Sequence, residues 1–158
     1  MRIAEHNDDV NIRAGILIKQ KGTTKILIEH ATGHHAPNPC MDIPKGHITI
    51  NEKIEEGACR EIQEETGIEI DPGDLTELGH FPYNKSTLYI FYVEMNFDIN
   101  KCHCDSMFTS PSGKELPEVD GYELFDIVND DLDSSLLYKG LKPILRHVFQ
   151  DMKEKNLI

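Results

Sequence analysis

An α/β sandwich around a mixed β-sheet is the fold class this chain predicts, and three observations carry it. Short runs rich in β-branched and apolar residues recur through most of the length, one amphipathic helix interrupts them, and a second closes the chain. Val10 to Lys19 is the first run and ends in the turn Lys21-Gly22-Thr23, with Lys25 to Glu29 as its hairpin partner. Residues 31–45 hold Gly33, Pro37, Asn38, Pro39 and Pro44 and are expected to form a loop, of a length more often functional than idle. Asn51 to Thr66 reads as a helix. Thr49 and Glu52 have capping-box spacing, Asn51 is an alternative cap, and Gly67 followed by Ile68 is a stop signal. A turn at Asp71-Pro72-Gly73-Asp74 leads to strands over Thr76–Tyr83 and Thr87–Met95, joined by Asn84-Lys85-Ser86. Residues 101–118 read as irregular, and Tyr122–Ile127 as a further strand. From Leu141 onward, Leu141, Leu145, Val148, Phe149 and Met152 form one apolar stripe, with Pro143 tolerable only in the first turn.

Composition bounds the function. A chain of 158 residues without repeats or linkers fits a single domain over 1–158, and 39% hydrophobic with 28% charged residues suits a globular protein. Ala14 to Ile18 and similar runs are too short to span a bilayer, so no membrane partner is expected. Met1 to His6 lack the apolar stretch of a signal peptide, and four scattered cysteines do not outline a disulfide framework, so the expected setting is cytoplasmic. The net charge of −12 argues against broad binding to nucleic-acid backbone. It also means that an anionic substrate could be held only where bound cations reverse the local sign.

The chemistry-bearing segment runs from Gly46 to Ile68. On a helix Glu61 and Glu65 lie about 40° apart, with Glu64 about 60° to the other side. Three carboxylates on one arc repel by several tenths of a kcal/mol per pair unless cations separate them. Hard oxygen donors on one face suit Mg²⁺, or Mn²⁺ in its place. Ile54, Ala58 and Ile62 repeat every four residues beside the arc and would anchor the helix to the sheet, while Gly57 would leave room for metal or phosphate near the backbone. The competing reading is an ordinary Glu-rich surface helix. Against it stands a pattern of seven fixed residues whose chance agreement at one start point is roughly 10⁻⁸. The order is Gly46, Glu52, Arg60-Glu61, an aliphatic, Glu64-Glu65, then Gly67 and an aliphatic.

With this complete box over residues 46–68 the chain resembles the Nudix hydrolases. The resemblance implies an α/β/α sandwich in which the box is a metal-binding loop–helix–loop. Carried over by position, Glu61, Glu64 and Glu65 would be metal ligands, joined by the Gly46 carbonyl, and Glu52 with Arg60 would form an ion pair that supports them. The implied reaction is attack of a metal-polarised water on a diphosphate within a nucleoside diphosphate linked to another moiety X. The base is open: Glu64 and Glu65 are candidates in the box, and Glu118 in a later loop is a third. Dimers are frequent in that family, so a homodimer is one assembly the resemblance allows.

Residues outside the box bear on the substrate. Pro44-Lys45-Gly46-His47, where many family members have two glycines, resembles the diadenosine tetraphosphate and diphosphoinositol polyphosphate branches. Lys45 would then supply a point charge to a polyphosphate, or else be a surface lysine in a turn. Tyr83, 15 residues after Ile68, would favour dinucleoside polyphosphates by stacking or else be a strand-end packing residue, whereas its neighbour Pro82 would favour ADP-ribose, so this marker does not decide. The substrate expectation is a dinucleoside polyphosphate. Alternatives are a nucleoside triphosphate, ADP-ribose or a nucleotide sugar, an RNA 5′ end, and, in another class, a nucleotide-sensing module without catalysis. Cys102-His103-Cys104 lacks a second pair for zinc, and His34-His35 could touch phosphate but more often such loop histidines are exposed.

Overall fold

The computed structural model describes residues 11–33, 41–133 and 136–158. The loop histidines His34 and His35, Cys40 and the N-terminal segment read for a signal peptide lie outside these residues. The strands are β1 (Ile12–Gln20), β2 (Lys25–Ala31), β3 (Met41–Asp42), β4 (Lys45–His47), β5 (Thr76–Tyr83), β6 (Ser86–Met95), β7 (Met107–Thr109), β8 (Glu115–Pro117) and β9 (Val119–Asp126). The helices are α1 (Ile54–Thr66) and α2 (Lys142–Glu154).

Seven strands form one mixed sheet: β1 runs parallel to β6 and antiparallel to β2 and β4, while β2 also pairs with β3 and β9. Strict alternation sorts the side chains to two faces. Ala14, Ile16, Ile18, Leu27, Phe91 and Val93 pack under α1 with Ile54, Ala58 and Ile62. Leu17, Ile26, Ile28, Leu88 and Ile90 pack under α2 with Leu145, Val148, Phe149 and Met152. The expected α/β/α sandwich and both apolar helix faces are therefore present. No helix among the described residues is long and apolar enough to cross a membrane.

One irregularity of the sheet shapes the site. β1 and β2 pair where Lys19 faces Ile26, but at the other end of the hairpin β1 pairs with β4 (Arg13↔His47, Gly15↔Lys45) and β2 pairs with β3 (Glu29↔Asp42). The hairpin is thus split open, and residues 41–47 fill the gap. This corrects the expectation of a loop across 31–45: Ala31 ends β2, and Met41–Asp42 and the start of β4 at Lys45 belong to short strands wedged into the sheet.

Two further expectations need correction. Helix α1 starts at Ile54, because Asn51 takes a left-handed φ of 67° that no helix admits. The Thr49–Glu52 contact does form, with the Glu52 carboxylate accepting from Thr49 N–H and Oγ1 at 3.1 Å each, but it closes the loop ahead of the helix. Residues 101–118 are also not wholly irregular: β7 and β8 make a two-stranded ribbon around a turn at Gly113. The stop at Gly67 is as expected, with a φ of 78° and its N–H on the Gln63 carbonyl.

Candidate active site

A cavity of about 440 Å³ opens where the hairpin splits. One wall is acidic: Glu61, Glu64 and Glu65 from α1, Glu118 from the β8–β9 junction, and Glu29 from β2. Arg13 from β1 and Lys45 from β4 line it as well, so seven charged groups of both signs share one space. Sequence reasoning had named five of these. Glu29 and Arg13 were missed, because each sits in a strand and reads as a solvent-facing position. The available signal was alternation: Glu29 follows Leu27 by two residues and so points to the face that α1 covers.

Arg60 organises the acidic wall. Its Nε donates to Glu52 Oε2 at 2.7 Å and Nη2 to Glu52 Oε1 at 3.1 Å, while Nη1 reaches Glu61 at 3.0 Å and Glu64 at 3.1 Å. A fifth bond, Nη2 to the His47 carbonyl at 3.1 Å, ties the helix to the loop before it. Hydrogen bonding from Arg60 holds the Glu52 carboxyl below its ordinary range. Gly57 makes room for this pair rather than for metal or phosphate: a Cβ there would lie 2.6 Å from both Glu52 Oε1 and Ile48 Cδ1. Gly46 has the close approach to the acidic arc instead. A Cβ on it would stand 2.1 Å from the Glu61 carboxyl, so only glycine lets backbone and carboxylate meet there.

Deeper in, Glu65 is 5% exposed and Glu29 6%. Burial pushes the Glu65 carboxyl up to about 7. Burial and the neighbouring Glu65 lift Glu29 well above the carboxylate range. Lys45 does not neutralise them by contact, since its Nζ pairs with Asp42 at 3.1 Å. Burial works against the Lys45 charge, but Asp42 and the surrounding acidic groups outweigh it and hold the ammonium above its usual range.

Of the two roles expected of Tyr83, stacking on a base or packing at a strand end, its position matches the second. Its ring is 6% exposed, its hydroxyl donates to Asp42, and Arg13 and Lys45 stand 5.6 and 5.3 Å from its centroid. No face remains for a base. The residue instead supports the two cations, an arrangement that electrostatic attraction to the ring favours. The Cys102–Cys104 segment is also structural in this fold. His103 and Asp105 donate backbone N–H groups to the Thr66 and Glu64 carbonyls, strapping the end of α1.

Whether these residues suit a divalent cation can be tested on the molecule. Among the described residues, no three His, Cys, Asp or Glu side chains stand ready to hold an ion as placed. Arg60 occupies the interval between Glu61 and Glu64 and serves as their counter-charge. The donor set nevertheless fits: all are hard oxygens, and Oε1 of both Glu29 and Glu65 is buried without a hydrogen-bond partner.

With this geometry in view, the likeness to known proteins is decisive at the family level. The NUDIX domain model matches residues 10–129. The chain belongs to the Nudix family. An uncharacterized Nudix hydrolase of Clostridium acetobutylicum is 32% identical over 90 residues, covering 55% of this chain and 40% of that protein. This chain spans only 59% of another curated relative. Among solved structures, a MutT protein from Methanosarcina mazei Go1 superposes with a TM-score of 0.64 at 18% identity, covering 94% of this chain and 99% of that one. A C. elegans Ap4A hydrolase gives 0.60 at 18%, covering 90% and 98%. At such identities the structures establish that this Nudix chain shares their fold.

Proposed function

We propose that the chain is a divalent-cation-dependent pyrophosphohydrolase that cleaves a diphosphate linkage in a nucleotide derivative, with a dinucleoside polyphosphate as substrate and Mg²⁺ or Mn²⁺ as metal. The observation that carries this reading is the meeting, in one cavity, of the α1 carboxylates and Glu118 with Arg13 and Lys45. Glu61, Glu64 and Glu65, with the Gly46 carbonyl, would hold the metal. Bound there, it would polarise a water and offset charge developing on phosphate oxygens. Arg13 and Lys45 would take phosphates further along the chain, and a polyphosphate offers more of these than a nucleotide sugar does. The substrate choice draws support from Lys45 standing where many family members have glycine, and from the fold shared with an Ap4A hydrolase. RNA fits less well, because the chain carries a net charge of −12.

Glu118 is the proposed general base. It lines the cavity from the β8–β9 junction, on a backbone pinned by its N–H to the Ser106 carbonyl at 2.9 Å and its own carbonyl to Thr32 N–H at 3.1 Å. Glu118→Gln is expected to reduce kcat by about 10²–10⁴-fold with Mn²⁺ affinity unchanged. A kcat near that of the unaltered protein would pass the role to Glu64 or Glu65.

The function itself is tested by incubating the protein and Mg²⁺ or Mn²⁺ with dinucleoside polyphosphates, nucleoside triphosphates, ADP-ribose, nucleotide sugars and 5′-triphosphorylated RNA. Products are identified by chromatography. Cleavage that chelator abolishes and metal restores is expected, fastest on the dinucleoside polyphosphate. Tight binding of a nucleotide without turnover would instead mark a sensing module, and indifference to chelator would remove the mechanism.

A further inference from the structure

The floor of the cavity holds two carboxylates with too little positive charge around them. Glu29 and Glu65 meet side by side, 6% and 5% exposed, and Oε1 of each lacks a hydrogen-bond partner. None of the surrounding cations is seated on them: Arg60 pairs with Glu52, Glu61 and Glu64, Arg13 stands 5.6 Å from the Tyr83 ring, and Lys45, which acts on both carboxyls through space, pairs with Asp42. Among the described residues, neither floor carboxylate takes part in an ion pair. A buried carboxylate with nothing to neutralise it is costly, and an apolar side chain at position 29 would continue the Ile26-Leu27-Ile28 run. Glu29 is also not aimed at solvent, since it lines the cavity from β2 while pairing by backbone register with Asp42 on one side and Tyr122 on the other. The Tyr122 hydroxyl donates to the Glu65 carbonyl and so fixes the end of α1 against the strand that bears Glu29.

We propose that Glu29 is a further metal-ligating residue, which closes the deep end of the site by sharing a divalent cation with Glu65. This rests on reading the α1 carboxylates as the metal-binding set. It adds a ligand that the Gly46–Ile68 segment does not contain and ties the ion to the sheet as well as to the helix. The unpartnered oxygens then have a use, and the like charges on the floor have a counter-charge. A carboxylate retained at a cost to the metal-free protein has a recognisable signature, because removing it should stabilise the fold while weakening the ligand.

The test uses the full chain as Glu29→Gln and, separately, Glu61→Gln. Mn²⁺ affinity is measured by electron paramagnetic resonance of the free ion, and melting temperature is measured in chelator. Glu29→Gln is expected to weaken Mn²⁺ binding by about tenfold or more and to melt at or above the unaltered protein in chelator. Glu61→Gln is expected to weaken Mn²⁺ binding as well. If Glu61→Gln weakens binding and Glu29→Gln does not, the Glu29 assignment falls and the helix assignment stands. If the unaltered protein binds no Mn²⁺, or Glu61→Gln leaves binding intact, the helix assignment falls and takes Glu29 with it. A lower melting temperature of Glu29→Gln in chelator would make the side chain a structural one and overturn the proposal.

Discussion

Replacing Glu64 by glutamine is expected to lower turnover by about 10²–10³-fold while leaving the fold intact. The loss corresponds to about 3–4 kcal/mol of transition-state stabilisation, the scale on which a metal's charge acts at a phosphoryl centre. Little stability should be lost with it. The Glu64 side chain is 42% exposed and its Arg60 partner 34%, so their ion pair is screened by solvent and worth little. Arg60 keeps its two bonds to Glu52 and the one to Glu61, so the acidic wall stays in place. Paired measurements of kcat and melting temperature decide the matter. Activity within a few-fold of the original, at unchanged stability, would remove Glu64 from the proposed ligand set.

The second large effect is on stability. In chelator the protein is expected to become less stable as pH rises from about 5 to about 7.5. The sign follows from Glu65, whose carboxyl burial raises to about 7 in the folded state. Between the ordinary carboxylate range and that value the folded chain holds a proton that the unfolded chain has released. Its contribution is therefore complete at acid pH and is lost as pH climbs through the folded value. Glu29, raised by burial and by Glu65, acts in the same direction. The expected loss is about 2–3 kcal/mol, or roughly 5–10 °C for a chain of this size. His47, held below its usual range by burial and by Arg13 and Lys45, works the opposite way, but it is exposed and present in every variant. Glu65→Gln therefore removes the Glu65 share, and its melting curve should fall less steeply over this window than that of the unaltered chain. Saturating Mn²⁺ should flatten the original protein's curve too, because the ion competes with protons for the same oxygens. A slope in Glu65→Gln equal to that of the unaltered chain would show that another group carries it.

The parts of this molecule legible in its sequence are those governed by local period. Ile54, Ala58 and Ile62 on α1 and the Leu145–Met152 stripe on α2 announce their faces because a helix repeats the same contact every turn. The acidic arc was legible for the same reason. What escaped depends on register between segments distant in sequence. Nothing local to Glu29 says that its strand is split from β1 just where the residue would meet Glu65. Nor does anything near Tyr83 say that two cations will cover its ring. The start of α1 was misplaced because Glu52 does reach back to Thr49, a signal that normally marks a helix but here only closes a loop. The β7–β8 ribbon is three residues per strand, too short for any period to show.

The split hairpin also has a kinetic side. Arg13, Glu29, Lys45, Glu65 and Glu118 come from five separate stretches, and the sheet that carries β1 is completed by its parallel pairing with β6. That parallel pairing joins positions about 75 residues apart, such as Ile12 and Thr87, so its loop must close before the contact repays it. A cation held by the proposed ligand set would need these stretches in place first, so its capture is expected late in the chain's self-assembly. An ion taken up by the finished cavity would slow unfolding far more than it hastens folding, which makes the cation a lock on the native state rather than a seed for it.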